Sequence, residues 1–299
     1  MHNTDKSVHI QIDHHQITQE SIVFRLIHAM KSMASHSTRF CRSNSALDRR
    51  SLVVRANWGA PVEFSDAKVI SNKTFFPGMH QIVIGVEKSV TSSFTKPGQY
   101  IQAKVEVDNK PGFFAVASAP NASTLPPDSL ELLIKSQPGS SAEAIANLAA
   151  GGQLLVSTAQ GKGFALDKIP VSDVDIVLMF ATGSGVSPLK SVIESGLLGA
   201  SERSLVQLFY GTRNSGSTAY QDLVGQWQAT GVKIKQVFSG EGQGYVQDAL
   251  VRDIKAGILN LGPEAKVGVL LCGQKEMCNA VTDTLVEAGV NKDRILMNF

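Results

Sequence analysis

The sequence predicts two halves of different architecture, an antiparallel β-barrel followed by an α/β domain built on a parallel sheet. Between residues 62 and 158, short runs of alternating apolar and polar residues are broken by turn residues, as in closed antiparallel barrels. After Pro170, apolar strands alternate with segments of helical spacing, which predicts a parallel sheet with helices on both faces. The predicted boundaries are residues 1–55 for a leader, 56–169 for the barrel domain and 170–299 for the α/β domain.

The predicted barrel strands are short and are separated by turns such as Pro97-Gly98 and Asp108-Asn109. One stretch of helical spacing, residues 141–149, interrupts them and ends at Gly151-Gly152, where glycine is a helix stop signal. The predicted strands are residues 67–71, 81–86, 100–107, 130–135 and 154–157.

The predicted parallel sheet begins with a continuous apolar strand, as expected for a strand that is buried on both faces. Ligands of such sheets bind beyond the carboxyl ends of the strands, so the loops that follow strands are the candidate sites. The predicted strands are residues 175–181, 205–210, 232–238 and 267–272, and the predicted helices are residues 188–198, 220–229, 247–256 and 276–288.

The leader has the composition of an organellar transit peptide. From Met30 to Arg55 there are six basic residues, six serines and one acidic residue, and residues 51–56 resemble a plastid processing junction. A disordered tail without a targeting role is the alternative. Residues 1–29 do not fit the pattern and are interpreted as an upstream extension, with translation starting at Met1, Met30 or Met33. The expected location is the plastid, in the stroma.

Charge and residue counts exclude several classes of function. Residues 1–55 hold eight of the 28 basic residues and four of the 26 acidic ones, so the basic balance belongs to the leader and does not indicate nucleic-acid binding. Three cysteines, Cys41, Cys272 and Cys278, are too few for a disulfide framework or a four-cysteine iron–sulfur cluster. Six of the seven histidines precede residue 40, which argues against a metal site, and the apolar runs are too short to cross a bilayer.

The loop after the first strand of the second half has the content of a phosphate-binding turn. Gly183-Ser184-Gly185-Val186-Ser187-Pro188 follows the strand and opens a helix, with Ser187 expected as the N-cap and Pro188 as the first helical residue. Glycines let backbone N–H groups approach a pyrophosphate closely. A strand-to-helix turn without a ligand is the alternative. The third glycine of the usual dinucleotide fingerprint is missing, which disfavours a conventional NAD dehydrogenase.

Two further loops at predicted strand ends carry unusual residues. Tyr210-Gly211-Thr212-Arg213 places a cation and a hydroxyl where a nucleotide phosphate would lie, although an ordinary surface arginine fits the same pattern. Cys272-Gly273-Gln274, with Met277 on the following helix, would let a nicotinamide ring approach. Cys272 is equally compatible with a buried core position, because free cysteine packs like a small apolar residue.

The ordered set of motifs resembles the ferredoxin–NADP reductase superfamily, in particular a plant plastid subgroup. The motifs that carry the resemblance are, in chain order, Pro97-Gly98-Gln99-Tyr100, Ala117-Ser118-Ala119-Pro120, Gly183-Ser184-Gly185-Val186-Ser187-Pro188, Tyr210-Gly211-Thr212-Arg213 and Cys272-Gly273-Gln274-Lys275-Glu276-Met277. The resemblance implies a flavin-binding barrel, with FAD as the usual flavin and FMN as an alternative, and a domain that binds NADP(H) in preference to NAD(H). It implies hydride transfer from the nicotinamide to the flavin, and then electron transfer to a small-molecule or small-protein acceptor that the sequence does not identify.

The resemblance also implies site residues. Cys272 and Phe299 would border the reacting rings. The pyrophosphate would be held by Gly183, Ser184, Gly185, Val186 and Pro188, the adenosine phosphate or ribose by Gly211, Thr212 and Arg213, and the nicotinamide side by Gly273 and Met277. The flavin would be held by Phe113, Phe114, Ala115 and Val116, and its phosphates by Lys135, Gly139, Ser140 and Ser141.

The flavin motif departs from the family pattern of Arg-x-Tyr-Ser/Thr. Gly112-Phe113-Phe114-Ala115 stands in its place, so the arginine, the tyrosine hydroxyl and the serine hydroxyl are all missing. These losses amount to about 2–4 kcal/mol of flavin affinity, and Lys110 would compensate for them only in part. The alternative function is therefore a non-catalytic, nucleotide-binding or redox-sensing relative that has lost tight flavin binding.

Overall fold

The computed structural model describes residues 62–261 and 264–298. Its first half is an antiparallel sheet of six strands with two short helices. The helices are α1 (Lys88–Ser93) and α2 (Ser141–Ala146). The strands are β1 (Phe64–Phe76), β2 (Met79–Gly85), β3 (Tyr100–Lys104), β4 (Gly112–Ala115), β5 (Ser129–Lys135) and β6 (Gln153–Ser157), in the spatial order β4-β3-β6-β1-β2-β5.

The edge strands of this sheet approach each other and nearly close a barrel. Just beyond β4, Val116 forms a β-bridge with Leu132 of β5, and the Ala117 N–H donates to the Glu131 carbonyl at 2.8 Å. Strand β1 curves around the barrel with two irregularities in its pairing to β2, and bulges of this kind increase the bend of a strand. The predicted barrel architecture is therefore confirmed, and its interior is filled by aliphatic side chains such as Ile82, Ile101 and Leu132.

The second half is a parallel sheet with helices on both faces, as predicted. The strands are β7 (Ile176–Thr182), β8 (Leu205–Thr212), β9 (Val232–Phe238), β10 (Val267–Cys272) and β11 (Ile295–Met297), in the order β11-β10-β7-β8-β9. The helices are α3 (Val186–Glu194), α4 (Val224–Ala229), α5 (Val246–Lys255) and α6 (Lys275–Glu287). Since the chain moves outward from β7 to β8 on one side and returns to β10 on the other, β7 and β10 flank the switch point where such sheets bind ligands.

Three elements are not predicted from the sequence, namely β4, β11 and α1. Strands β4 and β11 have four and three residues, and each pairs along only one edge, with β3 and with β10 respectively. Segments this short carry too few residues to establish a period, so long-range pairing decides their conformation.

The leader predicted at residues 1–55 and the site residue Phe299 lie outside the described residues. Within the described ranges, no helix is long and apolar enough to cross a membrane.

Candidate functional site

The loops that follow β7 and β10 touch each other at the switch point, and glycine makes the contact possible. A Cβ atom on Gly185 would lie 2.4 Å from the Cys272 carbonyl oxygen, and one on Gly273 would lie 2.2 Å from the Thr182 Oγ1. Gln274 N–H donates to that same Thr182 hydroxyl oxygen at 3.1 Å. Two of the predicted loops are thus one continuous surface that no other residue type at Gly185 or Gly273 would allow.

The helix at this surface begins earlier than predicted. A 3₁₀ turn, Gly183–Gly185, runs directly into α3, and Gly183 adopts a φ of +53°. The early start places Ser187 inside the helix, so the predicted N-cap role is wrong; its hydroxyl donates instead to the Ala115 carbonyl of β4 at 3.0 Å. The N–H groups of the first turn, at half-buried residues Gly183, Ser184 and Gly185, are those that a helix N-terminus offers to an anion.

Val186 and Pro188, two of the predicted site residues, pack beneath the turn in the protein interior. Val186 and Pro188 are buried, and Val186 belongs to the apolar core on that face of the sheet. The Tyr210 hydroxyl donates to the Gly183 carbonyl at 3.2 Å and so fixes the turn to the end of β8. Burial raises the pKa of this Tyr210 hydroxyl well above its ordinary value, so it remains a donor.

The loop after β8 adjoins the same surface. Gly211 is held close, since a Cβ there would lie 2.8 Å from Val246 Cγ1 and 3.3 Å from Thr182 Cγ2. The Thr212 hydroxyl lies 2.8 Å from the Thr218 hydroxyl and donates to the Asn214 carbonyl at 3.2 Å, so it is engaged within its own loop. The Arg213 side chain is exposed.

An aromatic residue that sequence reasoning missed lies on the neighbouring loop. Tyr245 precedes α5 and is 60 % exposed. Its loop is tied to the end of β8, because Gly240 N–H donates to the Arg213 carbonyl at 2.7 Å and Ser239 Oγ donates to the Thr212 carbonyl at 3.3 Å. The signal in the sequence is a tyrosine that opens a helix directly after a strand–loop segment rich in glycine.

Cys272 ends β10 and carries a neutral thiol. Burial raises its pKa to about 12, the nearby Cys278 adds to the increase, and a hydrogen bond from Asn298 opposes it. Asn298 is a second residue that sequence reasoning missed. Among the described residues, its buried Oδ1 has no hydrogen-bond partner, and a Cβ on Gly98 of the barrel would lie 2.6 Å from it. Met277 Cε lies within 2.8 Å of the Cβ position of Gly273.

Helix α3 docks this surface onto the barrel through a buried ionic network. Lys190 Nζ lies 3.2 Å from Glu131 Oε2 of β5 and 2.7 Å from Glu194 Oε2, and the Lys190 and Glu131 side chains are 4 % and 5 % exposed. The Tyr220 hydroxyl donates to Glu131 at 2.6 Å, and Trp227 Nε1 donates to Glu194 at 3.2 Å. Each carboxylate therefore has a charged and a neutral partner, as buried charges require.

The predicted flavin motif forms β4, and its two phenylalanines point in opposite directions. Phe114 is 9 % exposed and packs in the barrel core, opposite Ile101 of β3. Phe113 is 66 % exposed, and its ring centroid lies 5.7 Å from that of Tyr100. The ring available to a ligand is thus Phe113, whereas the motif suggests Phe114. Val116 is completely buried.

Phe114 also occupies the space where the family arginine would start. A Cβ on Gly112 would lie 2.7 Å from Phe114 Cζ and 3.4 Å from Ser141 Cβ. An arginine at position 112 would therefore require the Phe114 ring to move. The Phe114 ring, as it packs in β4, therefore leaves no space for an arginine side chain at position 112.

The second predicted flavin-phosphate element is engaged with its own chain. Glu143 accepts a hydrogen bond from Gly139 N–H at 2.7 Å, and its own N–H donates to the Ser140 Oγ at 3.3 Å. The Ser141 hydroxyl donates to the Lys110 carbonyl. Lys135, at the end of β5, is exposed. The hydrogen-bonding groups of this element at Gly139, Ser140 and Ser141 are therefore engaged within the chain.

Within the described ranges, no group of three or more His, Cys, Asp or Glu side chains is placed to hold a metal ion.

Part of the second half matches a known family domain. Residues 179–283 match the oxidoreductase NAD-binding domain. The ferredoxin NADP+ reductase from Neisseria gonorrhoeae, with bound FAD and NADP, has a TM-score of 0.66 at 20% identity and covers 79% of this chain and 98% of its own. The cytochrome P450 reductase GcoB from Amycolatopsis has a TM-score of 0.63 at 17% identity, over 80% of this chain and 71% of its own. At these identities the structures establish the fold.

The sequence comparison goes further than the fold. The fruit protein pKIWI502 from Actinidia deliciosa is 30% identical over 233 residues, which span 73% of this chain and 71% of that protein. The chain therefore has the fold of the ferredoxin NADP+ reductases and belongs to the same family as the fruit protein pKIWI502.

Proposed function

We propose that this chain is an NAD(P)H-dependent flavin oxidoreductase that passes electrons on to a small-molecule or small-protein acceptor. The observation that carries the proposal is the close contact between Gly185 and Cys272-Gly273. The helix that follows Gly185 packs against barrel strand β4, where the Ser187 hydroxyl donates to the Ala115 carbonyl. A nicotinamide nucleotide at the switch point would lie against the barrel. A flavin bound to the barrel would accept hydride from the reduced nicotinamide.

The residues at this contact have distinct parts in binding. The first-turn N–H groups at Gly183–Gly185 suit the nucleotide pyrophosphate, because a helix N-terminus favours negative charge. The buried Oδ1 of Asn298 suits the amide N–H₂ of a nicotinamide beside Cys272. A neutral thiol next to the ring places no negative charge there.

NADPH is the proposed reductant. Arg213 is an exposed cation on the loop that adjoins the pyrophosphate turn, and Tyr245 offers an exposed aromatic face on the next loop. A guanidinium matches the geometry of a phosphate, and an aromatic ring stacks on a purine base. The solved relative from Neisseria gonorrhoeae is described with bound NADP, which supports the same choice.

A second candidate function is nucleotide binding without catalysis. It is favoured by the absence of an arginine at Gly112 and by the Glu143 carboxylate on the second phosphate element. A protein of this kind would bind NADPH and leave added flavin oxidised.

Steady-state turnover tests the proposal. The purified full-length chain is mixed with NADPH and riboflavin, and consumption of NADPH is followed for the wild type, Gly185→Ala and Gly225→Ala. We expect Gly185→Ala to abolish turnover, because its methyl group would collide with the Cys272 carbonyl. Gly225→Ala, in helix α4, where nothing lies within 4 Å of the added methyl group, is the control and should keep most of the turnover. NADPH binding without turnover in the wild type would favour the second candidate.

The plastid location is a separate proposal. It rests on the composition of residues 30–55, where basic residues and serines are abundant and one acid is present. A fluorescent protein fused after residue 56 should accumulate in plastids, and a fusion that stays outside them would contradict it.

A further inference from the structure

We propose that Glu143 selects against flavin phosphates, so that the barrel recognises the isoalloxazine ring and leaves the flavin phosphate without a binding site. The proposal rests on the proposed function, since it assumes that a flavin binds to the barrel. It concerns which flavin binds and how readily it exchanges.

The first observation is the position of the Glu143 carboxylate. It accepts the Gly139 N–H at 2.7 Å, while Ser140 caps the start of α2 by accepting the Glu143 N–H. Gly139 adopts a φ of +72°, which turns its N–H toward the carboxylate. The Gly139 N–H, on the segment that resembles the flavin-phosphate element, is therefore already bonded to the Glu143 carboxylate. Bonds to an ionised acceptor are the stronger kind, so a phosphate would have to displace it.

The second observation is that nearby cations do not offset this charge. Gly112 replaces the family arginine, and the Phe114 ring fills the space that its side chain would need. The Lys104 ammonium is directed to the Val107 carbonyl and lies 4.6 Å from the Phe64 ring centroid. Lys110 and Lys135 are exposed to water, where their attraction for a phosphate is weak. An incoming phosphate would therefore be repelled by Glu143 with little compensation.

The third observation is that an aromatic surface for the ring remains. Phe113 is turned outward beside Tyr100 on the outer face of β3 and β4, and Gln102 follows on the same strand as Tyr100. Aromatic stacking of this kind is independent of a phosphate. FMN and FAD should consequently bind no more tightly than riboflavin, and the flavin should exchange with solvent.

Equilibrium binding of three flavins tests the proposal. Dissociation constants of the full-length chain for riboflavin, FMN and FAD are measured from the quenching of flavin fluorescence. In the wild type we expect the dissociation constants for FMN and FAD to be about tenfold higher than that for riboflavin. Glu143→Ala should tighten FMN and FAD by about tenfold and leave riboflavin unchanged, because the repulsion is removed.

Two further variants make the result interpretable. Glu143→Gln keeps a hydrogen-bond acceptor at the start of α2 while removing the charge, so it should tighten FMN and FAD in the same way even if Glu143→Ala weakens the helix. Glu287→Gln, on an exposed residue at the end of α6, removes one negative charge elsewhere and should leave all three constants unchanged.

The outcomes separate this proposal from the one on which it rests. Wild-type protein that binds FAD more than about tenfold tighter than riboflavin would overturn the role of Glu143 and leave the oxidoreductase proposal intact. Unchanged FMN and FAD constants in both Glu143 variants would do the same. Failure of all three flavins to bind, with NADPH binding retained, would overturn the flavin oxidoreductase proposal itself.

Discussion

At the residue scale, the chemistry of the site depends on groups whose surroundings fix their protonation state. The Cys272 thiol has a pKa of about 12 because burial disfavours the thiolate, while an unfolded cysteine has an ordinary value of 9.0. Between these two values the unfolded chain holds a thiolate and the folded chain holds a thiol. This group therefore makes stability fall as pH rises above 9.0 and contributes no pH dependence below it.

Alkylation measures the same property. The folded Cys272 should hold roughly a thousandfold less thiolate than an unfolded cysteine at about pH 8, since the difference in pKa is about three units. Iodoacetamide labelling followed by peptide mass spectrometry should show slow modification in the native chain and fast modification in urea. Equal rates in both states would contradict the buried, neutral thiol.

Arg213 is the residue that should distinguish the two nucleotides. Arg213→Ala removes the exposed guanidinium from the loop after β8 and should raise the Kd for NADPH by about tenfold to a hundredfold. The Kd for NADH, which has no 2′-phosphate, should change by less than about twofold. Isothermal titration with both nucleotides measures the ratio, and an equal loss for the two would place the 2′-phosphate elsewhere.

Some residues of the site are predictable from the sequence and others are not, for physical reasons. The glycines at positions 185 and 273 stand out because a side chain there would collide with Cys272 or Thr182, and Gly183 stands out because its φ of +53° favours glycine. Glu143 had a local signal as well, since Ser140 three residues before it matches the sequence pattern of a capping box. The direction of Phe114 had none, because a four-residue strand acquires its inward face from pairing with β3.

At the element scale, helix α3 follows the loop after β7 and packs against the barrel, where its buried Lys190 pairs with Glu131 of β5. Lys190→Met should lower the free energy of unfolding by about 3–5 kcal/mol, since it leaves the buried Glu131 carboxylate and the partly exposed Glu194 carboxylate without their cation. Urea denaturation measures the change. Lys255→Met, at an exposed position in the last turn of α5, is the control and should change stability by less than about 0.5 kcal/mol.

A double variant sharpens this prediction. Glu131→Gln together with Lys190→Met should be less destabilised than the sum of the two single variants, because the unpaired charges are removed together. Strict additivity would show that the 3.2 Å contact between Lys190 and Glu131 does not couple the barrel to the helix.

At the scale of the whole molecule, the order of the elements is predicted well by the sequence, while the junction between the two halves is not. Alternation of period two and the strand–helix cycle are local patterns, so barrel and parallel sheet can both be inferred from them. The docking of α3 on β4 and β5 depends on residues far apart in sequence, such as Ser187 with Ala115. No local pattern encodes such a pairing.

The central proposal is that reduced nicotinamide bound at the switch point delivers hydride to a flavin on the barrel. The most direct measurement is an anaerobic single turnover, in which the full-length chain with riboflavin is mixed with NADPH that carries deuterium at the nicotinamide C4. We expect loss of the oxidised flavin absorbance, at a rate that falls when the transferred hydrogen is deuterium. Flavin that binds to the protein and stays oxidised in the presence of bound NADPH would contradict it.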